Sequence, residues 1–286
     1  MLGKISKILL LLCTMAVLSA CGETNTKSGI ATNNDPVTGQ QKLRVAMEAA
    51  YPPFNWTQSD NQNGAVQISG SLEYVAGYDI EIAKKIAKEL NMELEIIKLD
   101  WTSIIPAIQS QTVDVAIAGM NPLPERAQLI DFTNPYYSSD FVIVVQKGSM
   151  FEKAVSLEQF ANAKVAAQLG TTSSLLARQI PTNYRIQEIN DLETVKRSLK
   201  SGIIDAYVTE RIEALSTIHA QESVVIVDSV EEFATTEENT TMAIGVAQES
   251  PLIEPINDIL LSIQETERAT LMDEAIQQYT ELQQEP

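Results

Sequence analysis

The chain has 286 residues, of which 44% are hydrophobic and 20% charged, and its formal net charge is −18. That length suits one large or two medium domains, with apolar material for two cores. Such a charge repels phosphate backbones and excludes nucleic acid as a partner.

The first informative segment is the N-terminus. Lys4 and Lys7 make a short positive region, Ile8 to Leu18 is an apolar run interrupted by Thr14, and Leu18-Ser19-Ala20 precedes Cys21. This has the shape of a secretory signal and is too short for a spanning helix. Leu-Ser-Ala-Cys resembles a bacterial lipobox. The resemblance implies a signal peptide over 1–20, cleavage before Cys21, and acyl chains (palmitate among them) on its sulfur and amino group. Each buried methylene contributes about 0.8 kcal/mol, and two or more chains anchor stably. Cleavage removes Cys13 and lipidation consumes Cys21, the other cysteine, which leaves no disulfide and no thiol nucleophile. The mature charge becomes −20, from 18 basic and 38 acidic residues. No later segment has 18 consecutive apolar residues, so the lipid is expected to be the sole membrane attachment. Residues 21–41 are polar and rich in Thr, Asn and Gly, and read as a flexible tether.

The folded part begins near Lys42. Leu43–Met47 alternates like a strand. Thr57 to Glu73 is polar, with Asn63-Gly64 as a turn signal, and predicts a hairpin or long loop. Asp79 is placed to cap a helix on which Ile80, Ala83, Ala87 and Leu90 share a face and Glu81 can pair with Lys85. Glu93–Leu99 reads as a strand and Ser103–Gln109 as a short helix, with Pro106 in its first turn. Val113–Ala118 is an apolar run typical of a strand buried on both faces. Strands are then expected at Phe141–Val145, Lys164–Ala167, Asp205–Val208, Val224–Val227 and Met242–Val246. Helices are expected at Thr171–Gln179, Asp191–Ser201 and Glu210–His219, with two more at the end. This alternation predicts an α/β chain with largely parallel sheets covered on both faces. It carries no GxGxxG, P-loop, HExxH or CxxC, so no cofactor and no metal is expected.

Five segments together resemble the family 3 solute-binding proteins of amino-acid ABC importers. They are Leu43-Arg44-Val45-Ala46-Met47-Glu48-Ala49-Ala50-Tyr51-Pro52-Pro53-Phe54, Gly77-Tyr78-Asp79-Ile80-Glu81-Ile82-Ala83, the stretch from Asp100-Trp101 through Asp114–Met120 and Pro124-Glu125-Arg126 to Asp131-Phe132-Thr133, then Gly170-Thr171-Thr172, and Gly202–Val208. Their order and spacing are more specific than any one of them. The resemblance implies a two-lobed, periplasmic-binding-protein-like (type II) fold with two hinge crossovers and a ligand cleft. Lobe 1 would be 42–140 plus 240–286 and lobe 2 would be 145–235, with Phe141–Val145 carrying the first crossover and Thr235–Thr241 the second. It also implies a monomer on the outer face of the cytoplasmic membrane that serves a permease and an ATPase.

A free amino acid carries a carboxylate and an ammonium, and burying either without a partner costs several kcal/mol. The resemblance assigns Arg126 to the carboxylate, where a planar fork can make two parallel hydrogen bonds. Thr171 and Thr172 would add backbone donors at a helix start, although a plain N-cap is the alternative. Glu210 would take the ammonium, at a position where the family most often has aspartate. Tyr51 and Trp101 would sandwich the side chain. Ala118 and Gly119 would contribute backbone groups, and Asn121 stands where serine or threonine is common. Glu48 would read the side-chain end, with Gln168 on the opposite wall. Glu48 and the two rings lean toward a basic side chain, and an amide fits almost as well.

No catalytic residue is expected. The same fold hosts dehydratases and cell-wall lyases, which would need an acid and a base beside the ligand. The lone histidine, His219, lies late in a helix away from the matched positions and reads as a solvated surface residue. A sensing or scaffolding protein on this fold is the other alternative.

Overall fold

The computed structural model describes residues 41–220, 223–228 and 233–284. The expected signal peptide, Cys21 and the tether up to residue 40 lie outside the described residues.

The chain enters on β1 (Lys42–Met47) and builds a small antiparallel sheet from β2 (Ala50–Tyr51), β3 (Asn55–Gln58), β4 (Val66–Gln67) and β5 (Tyr74–Ala76). Helix α1 (Tyr78–Glu89), β6 (Glu93–Lys98), α2 (Ile104–Gln109), β7 (Val115–Ala116), α3 (Pro124–Ala127) and β8 (Asp131–Ser138) follow. Next come β9 (Phe141–Gln146), β10 (Val165–Gln168), α4 (Thr172–Ala177), β11 (Gln187–Ile189), α5 (Leu192–Lys200), β12 (Ala206–Glu210), α6 (Arg211–Ala220) and β13 (Val224–Ile226). The last elements are α7 (Glu237–Thr240), β14 (Thr241–Val246), α8 (Ile253–Ser262) and α9 (Glu265–Gln284).

Among the described residues two five-stranded sheets result, ordered β6-β1-β7-β14-β8 and β11-β10-β12-β9-β13. The chain passes from the first sheet to the second between β8 and β9, and returns through α7 into β14. The expectation of largely parallel sheets needs correcting. In each sheet two pairings are parallel and two antiparallel, because β14 runs against β7 and β8, and β9 runs against β12 and β13. Strands that enter from the other sheet need no helical crossover to reverse direction, so they pair antiparallel.

The cores follow from the sequence pattern. Leu43, Val45, Ile80, Ile86, Ile96, Val115 and Ile244 belong to one cluster around the first sheet. Two clusters line the second, one with Phe160, Val165 and Leu176, the other with Val144, Val195 and Tyr207. The half-buried ring of Tyr51 packs against both the first and the third of these.

Two local expectations on α1 fail. Asp79 does not cap it: the cap is Gly77, whose φ of 124° and close approach to the Phe54 carbonyl leave no room for a Cβ. Asp79 sits one residue inside the helix and is fully buried. Glu81 pairs with Lys84 rather than Lys85, and Lys85 reaches across to Glu267 on α9. Strand β7 is shorter than the run Val113–Ala118, because the chain turns away after Ile117. Just before β7, the Asp114 carboxylate accepts both the backbone N–H and the guanidinium of Arg44. Strand β8 was not foreseen. It is an edge strand holding Pro135, at which its register against β14 shifts, the setting in which a sheet tolerates proline.

Candidate functional site

The site is built where strand ends of both sheets meet α-helix starts. Glu48 follows β1, Tyr51 ends β2, Ala118, Gly119 and Asn121 lie in the turn after β7, Gln168 ends β10, Thr171 and Thr172 open α4, and Glu210 ends β12. These residues and Trp101 line one cavity, together with Ser173, Leu192, Val208 and Thr209. Of the ligand residues expected from sequence, only Arg126 does not line it.

The cavity encloses about 30 Å³, room for one or two waters, because groups from the two sheets bond directly across it. The Tyr51 hydroxyl donates to the Glu210 carboxylate. The Gln168 amide donates to both oxygens of Glu48, each at 2.9 Å. The Thr172 hydroxyl donates to Asn121 Oδ1 at 2.6 Å. The Trp101 indole N–H donates to the Gly170 carbonyl at 3.1 Å. Admitting an amino acid therefore requires the two walls to part.

Each side chain is held from behind. Gly119 has φ +58°, and a Cβ there would lie 3.0 Å from the Tyr51 ring, so only glycine lets that ring cover the turn. The same ring stacks on Phe54 at 5.3 Å. Thr171 is the N-cap of α4 and accepts the Ser174 N–H, as the capping alternative anticipates. Asn121 uses its amide N–H groups on the carbonyls of Asn239 and Thr241, both at 2.9 Å.

Arg126 is buried and lies over the Trp101 ring, 5.2 Å from its centroid. Its guanidinium donates to the carbonyls of Asn121 at 2.8 Å and Gly170 at 2.9 Å. It lines a neighbouring cavity of about 280 Å³ that also touches Trp101 and Gly170. Trp101 is thus the shared wall between this arginine and the main cavity.

Burial pushes both cavity carboxyls up. Glu210 rises to about 7, against the pull of the Tyr51 hydroxyl and, more weakly, Arg126. Glu48 rises to about 7 through burial, against Gln168, with Asp191 and Asp100 adding repulsion. Burial lowers Arg126 to about 10, while Glu125 and Glu210 act the other way, so it stays charged at neutral pH. Tyr51 is pushed well above the usual phenol range by burial and by Glu210. The site therefore holds two carboxyls that a cationic partner would ionise.

Sequence reasoning missed four lining residues. Ser173 and Thr209 adjoin Thr172 and Glu210, and that adjacency was the available signal. Val208 looked like plain strand core. Leu192 lies on the buried face of α5. His219 is exposed on α6 and apart from the cavity. Among the described residues no cluster of three or more His, Cys, Asp or Glu could hold a metal, and no helix is long and apolar enough to cross a membrane.

Comparison with known proteins places this architecture. Residues 43–279 match the model of the bacterial extracellular solute-binding proteins, family 3. An arginine-binding extracellular protein of Bacillus subtilis is 30% identical over 209 residues, covering 72% of each chain. An amino-acid ABC transporter substrate-binding protein from Streptococcus pneumoniae, solved bound to L-arginine, superposes with a TM-score of 0.72 at 26% identity, over 84% of this chain and 96% of that one. An ancestral arginine-binding protein, solved bound to glutamine, gives a TM-score of 0.67 at 33% identity, over 83% and 97%.

Proposed function

The chain belongs to the bacterial extracellular solute-binding proteins of family 3, and on that premise we propose that it captures a free amino acid with a basic or amide side chain between its two sheets and delivers it to the permease and ATPase of an ABC importer. The observation that carries this reading is the pair of cavity carboxylates, Glu210 and Glu48, each hydrogen-bonded there to a neutral donor, Tyr51 or Gln168. A basic amino acid brings two cations, an α-ammonium for Glu210 and a side-chain cation for Glu48. Each would replace a neutral donor with a charge-assisted bond, which is about twice as strong.

Arg126 takes the ligand carboxylate in this reading, releasing the Gly170 carbonyl as the walls part, and the backbone N–H of Thr172 joins it. Tyr51 and Trp101 cover the side chain, and the backbone of Ala118 and Gly119 and the side chain of Asn121 complete the wall. Ligand touches both sheets at once, so it favours the closed arrangement by the difference in contact. The arginine and glutamine bound by the similar proteins support a basic or amide side chain. Binding rather than catalysis is the function in this reading, since both cavity carboxylates, Glu48 and Glu210, are taken up by the cations of the ligand. The protein works as a monomer on the outer face of the membrane, anchored through acylated Cys21. Loss of palmitate labelling in Cys21→Ala checks the anchor, and retained labelling would refute it.

A thermal-shift screen against the twenty amino acids tests the ligand, because a ligand that binds only the native state raises Tm. A shift with arginine, lysine, histidine or glutamine is expected. No shift with any amino acid would overturn the reading in favour of sensing or scaffolding.

A further inference from the structure

The turn Ala118–Asn121 has no polar side chain on its first two residues, so whatever it offers a ligand depends on how its backbone is held. The Gly119 N–H donates to the Tyr136 hydroxyl at 2.9 Å, and that hydroxyl donates to Asp79 Oδ1 at 2.7 Å. Asn55 Nδ2 donates to Asp79 Oδ2 at 2.7 Å. Tyr136 and Asp79 are fully buried and Asn55 nearly so. These three residues come from β8, α1 and β3, and none of them lines the cavity. The Tyr78 hydroxyl fixes the Tyr136 carbonyl from behind, at 3.0 Å.

We propose that Tyr136 and Asp79 are positioning residues for ligand binding: through the Gly119 N–H they set the backbone of the turn that faces the cavity. This rests on the binding reading above. The logic is one of direction. An ionised carboxylate only accepts, so Asp79 draws the Tyr136 proton to itself and leaves the phenol oxygen to accept from Gly119. Without that acceptor the phenol can turn its proton toward the Gly119 N–H, and without the phenol that N–H is buried unpaired. The next residue is fixed independently, since the Ala243 N–H on β14 donates to the Met120 carbonyl at 2.9 Å. Adjacent residues of the turn are thus tied to β8 and β14, the strands through which the chain leaves and re-enters the first sheet.

The test uses the full chain and two readouts at a temperature where every variant is folded: amide hydrogen exchange at Gly119 without ligand, and the calorimetric Kd for L-arginine. Tyr136→Phe and Asp79→Ala should each speed Gly119 exchange and weaken Kd by about tenfold, because a turn no longer held in one backbone geometry must be ordered when ligand binds. Exchange at Ala46 and Ile82, in the same core, should not change. Asp79→Asn should stay within about threefold of wild type in both readouts. Its amide oxygen still accepts from Tyr136, and its N–H, which takes the place of the oxygen that now accepts from Asn55 Nδ2, meets Asn55 Oδ1 once the Asn55 amide turns over; that oxygen has no hydrogen-bond partner among the described residues. An unchanged Kd in Tyr136→Phe, or equal damage in Asp79→Asn and Asp79→Ala, overturns the proposal. If the wild type itself binds no amino acid, the binding reading fails, and the Gly119 exchange of the two deletion variants alone decides whether the turn is positioned in this way.

Discussion

Replacing Glu210 by Gln removes one charge and keeps the shape of the site. Glu210 is 5% exposed and accepts the Tyr51 hydroxyl, so a ligand ammonium that meets it is buried with it. Removing one partner of a buried charge pair costs about 3–5 kcal/mol, or roughly two to four powers of ten in Kd. Against this, the carboxyl sits at about 7 because of its burial. Ionising it to receive a cation at pH 7 takes back only a few tenths of a kcal/mol. The wild type should therefore bind L-arginine at least about a hundredfold more tightly than Glu210→Gln at pH 8, measured by isothermal titration calorimetry. Protons compete with the cation for this carboxyl, so wild-type affinity should fall by up to about tenfold per unit below pH 7. Glu210→Gln should lose that part of the slope. Affinities within threefold of each other at pH 8 would refute the assignment of Glu210 to the ammonium.

Three further outcomes follow from the same geometry. Ligand-free protein should melt several degrees higher at pH 5 than at pH 7.5. Burial raises Glu48 and Glu210 to about 7 and Asp79 to about 6, so the folded state keeps protons that the unfolded chain has already released, and raising the pH through that window destabilises it. Glu188, held below its ordinary value by Ser174 and Arg178, is ionised across that window in both states and does not oppose the trend; a higher Tm at pH 7.5 would contradict this. Gly119→Ala forces φ +58° on a residue with a Cβ and drives it to 3.0 Å from the Tyr51 ring. The backbone cost alone is about 1–2 kcal/mol, and both Tm and L-arginine affinity should drop. Lys196 and Glu213 form a buried pair at 2.6 Å through Glu213 Oε1, while Glu213 Oε2 has no hydrogen-bond partner among the described residues. Burial alone would pull Lys196 down, but Glu213 and Glu193 outweigh it and hold the ammonium above its ordinary value. Lys196→Met should cost about 3–5 kcal/mol in chemical denaturation, and adding Glu213→Leu should recover most of it; no recovery would contradict the uncompensated charge as the cause.

Local pattern made much of the fold legible. Alternation marked β1, and apolar runs marked the other central strands. Helical spacing of Ile80, Ala83 and Ala87 marked α1. What stayed hidden depends on residues far apart in the chain. Strand direction in β9 and β14 is set by which sheet the chain has just left, and no window around Phe141 or Met242 records that. Asn134-Pro135 breaks the period of β8, which is stable only as an edge. The cavity residues lie at strand ends and helix starts, but it was the resemblance to the family, not the element boundaries, that singled out Glu48, Gln168, Thr172 and Glu210. The resting contacts of Arg126 could not be read from the sequence, since Gly170 is 44 residues away. Nor could the role of Asp79, whose acidic side chain at a helix start looked like a cap until Tyr136, 57 residues on, supplied its partner.

The central claim is that one amino acid sits between the two sheets with its ammonium on Glu210. A crystal structure of the protein grown with L-arginine tests it most directly. The account predicts one molecule in the cavity lined by Glu48, Tyr51, Trp101 and Thr172, its α-ammonium within hydrogen-bond distance of Glu210 and its carboxylate on the Arg126 guanidinium. Arginine bound elsewhere, or reversed so that its carboxylate faces Glu210, would contradict it.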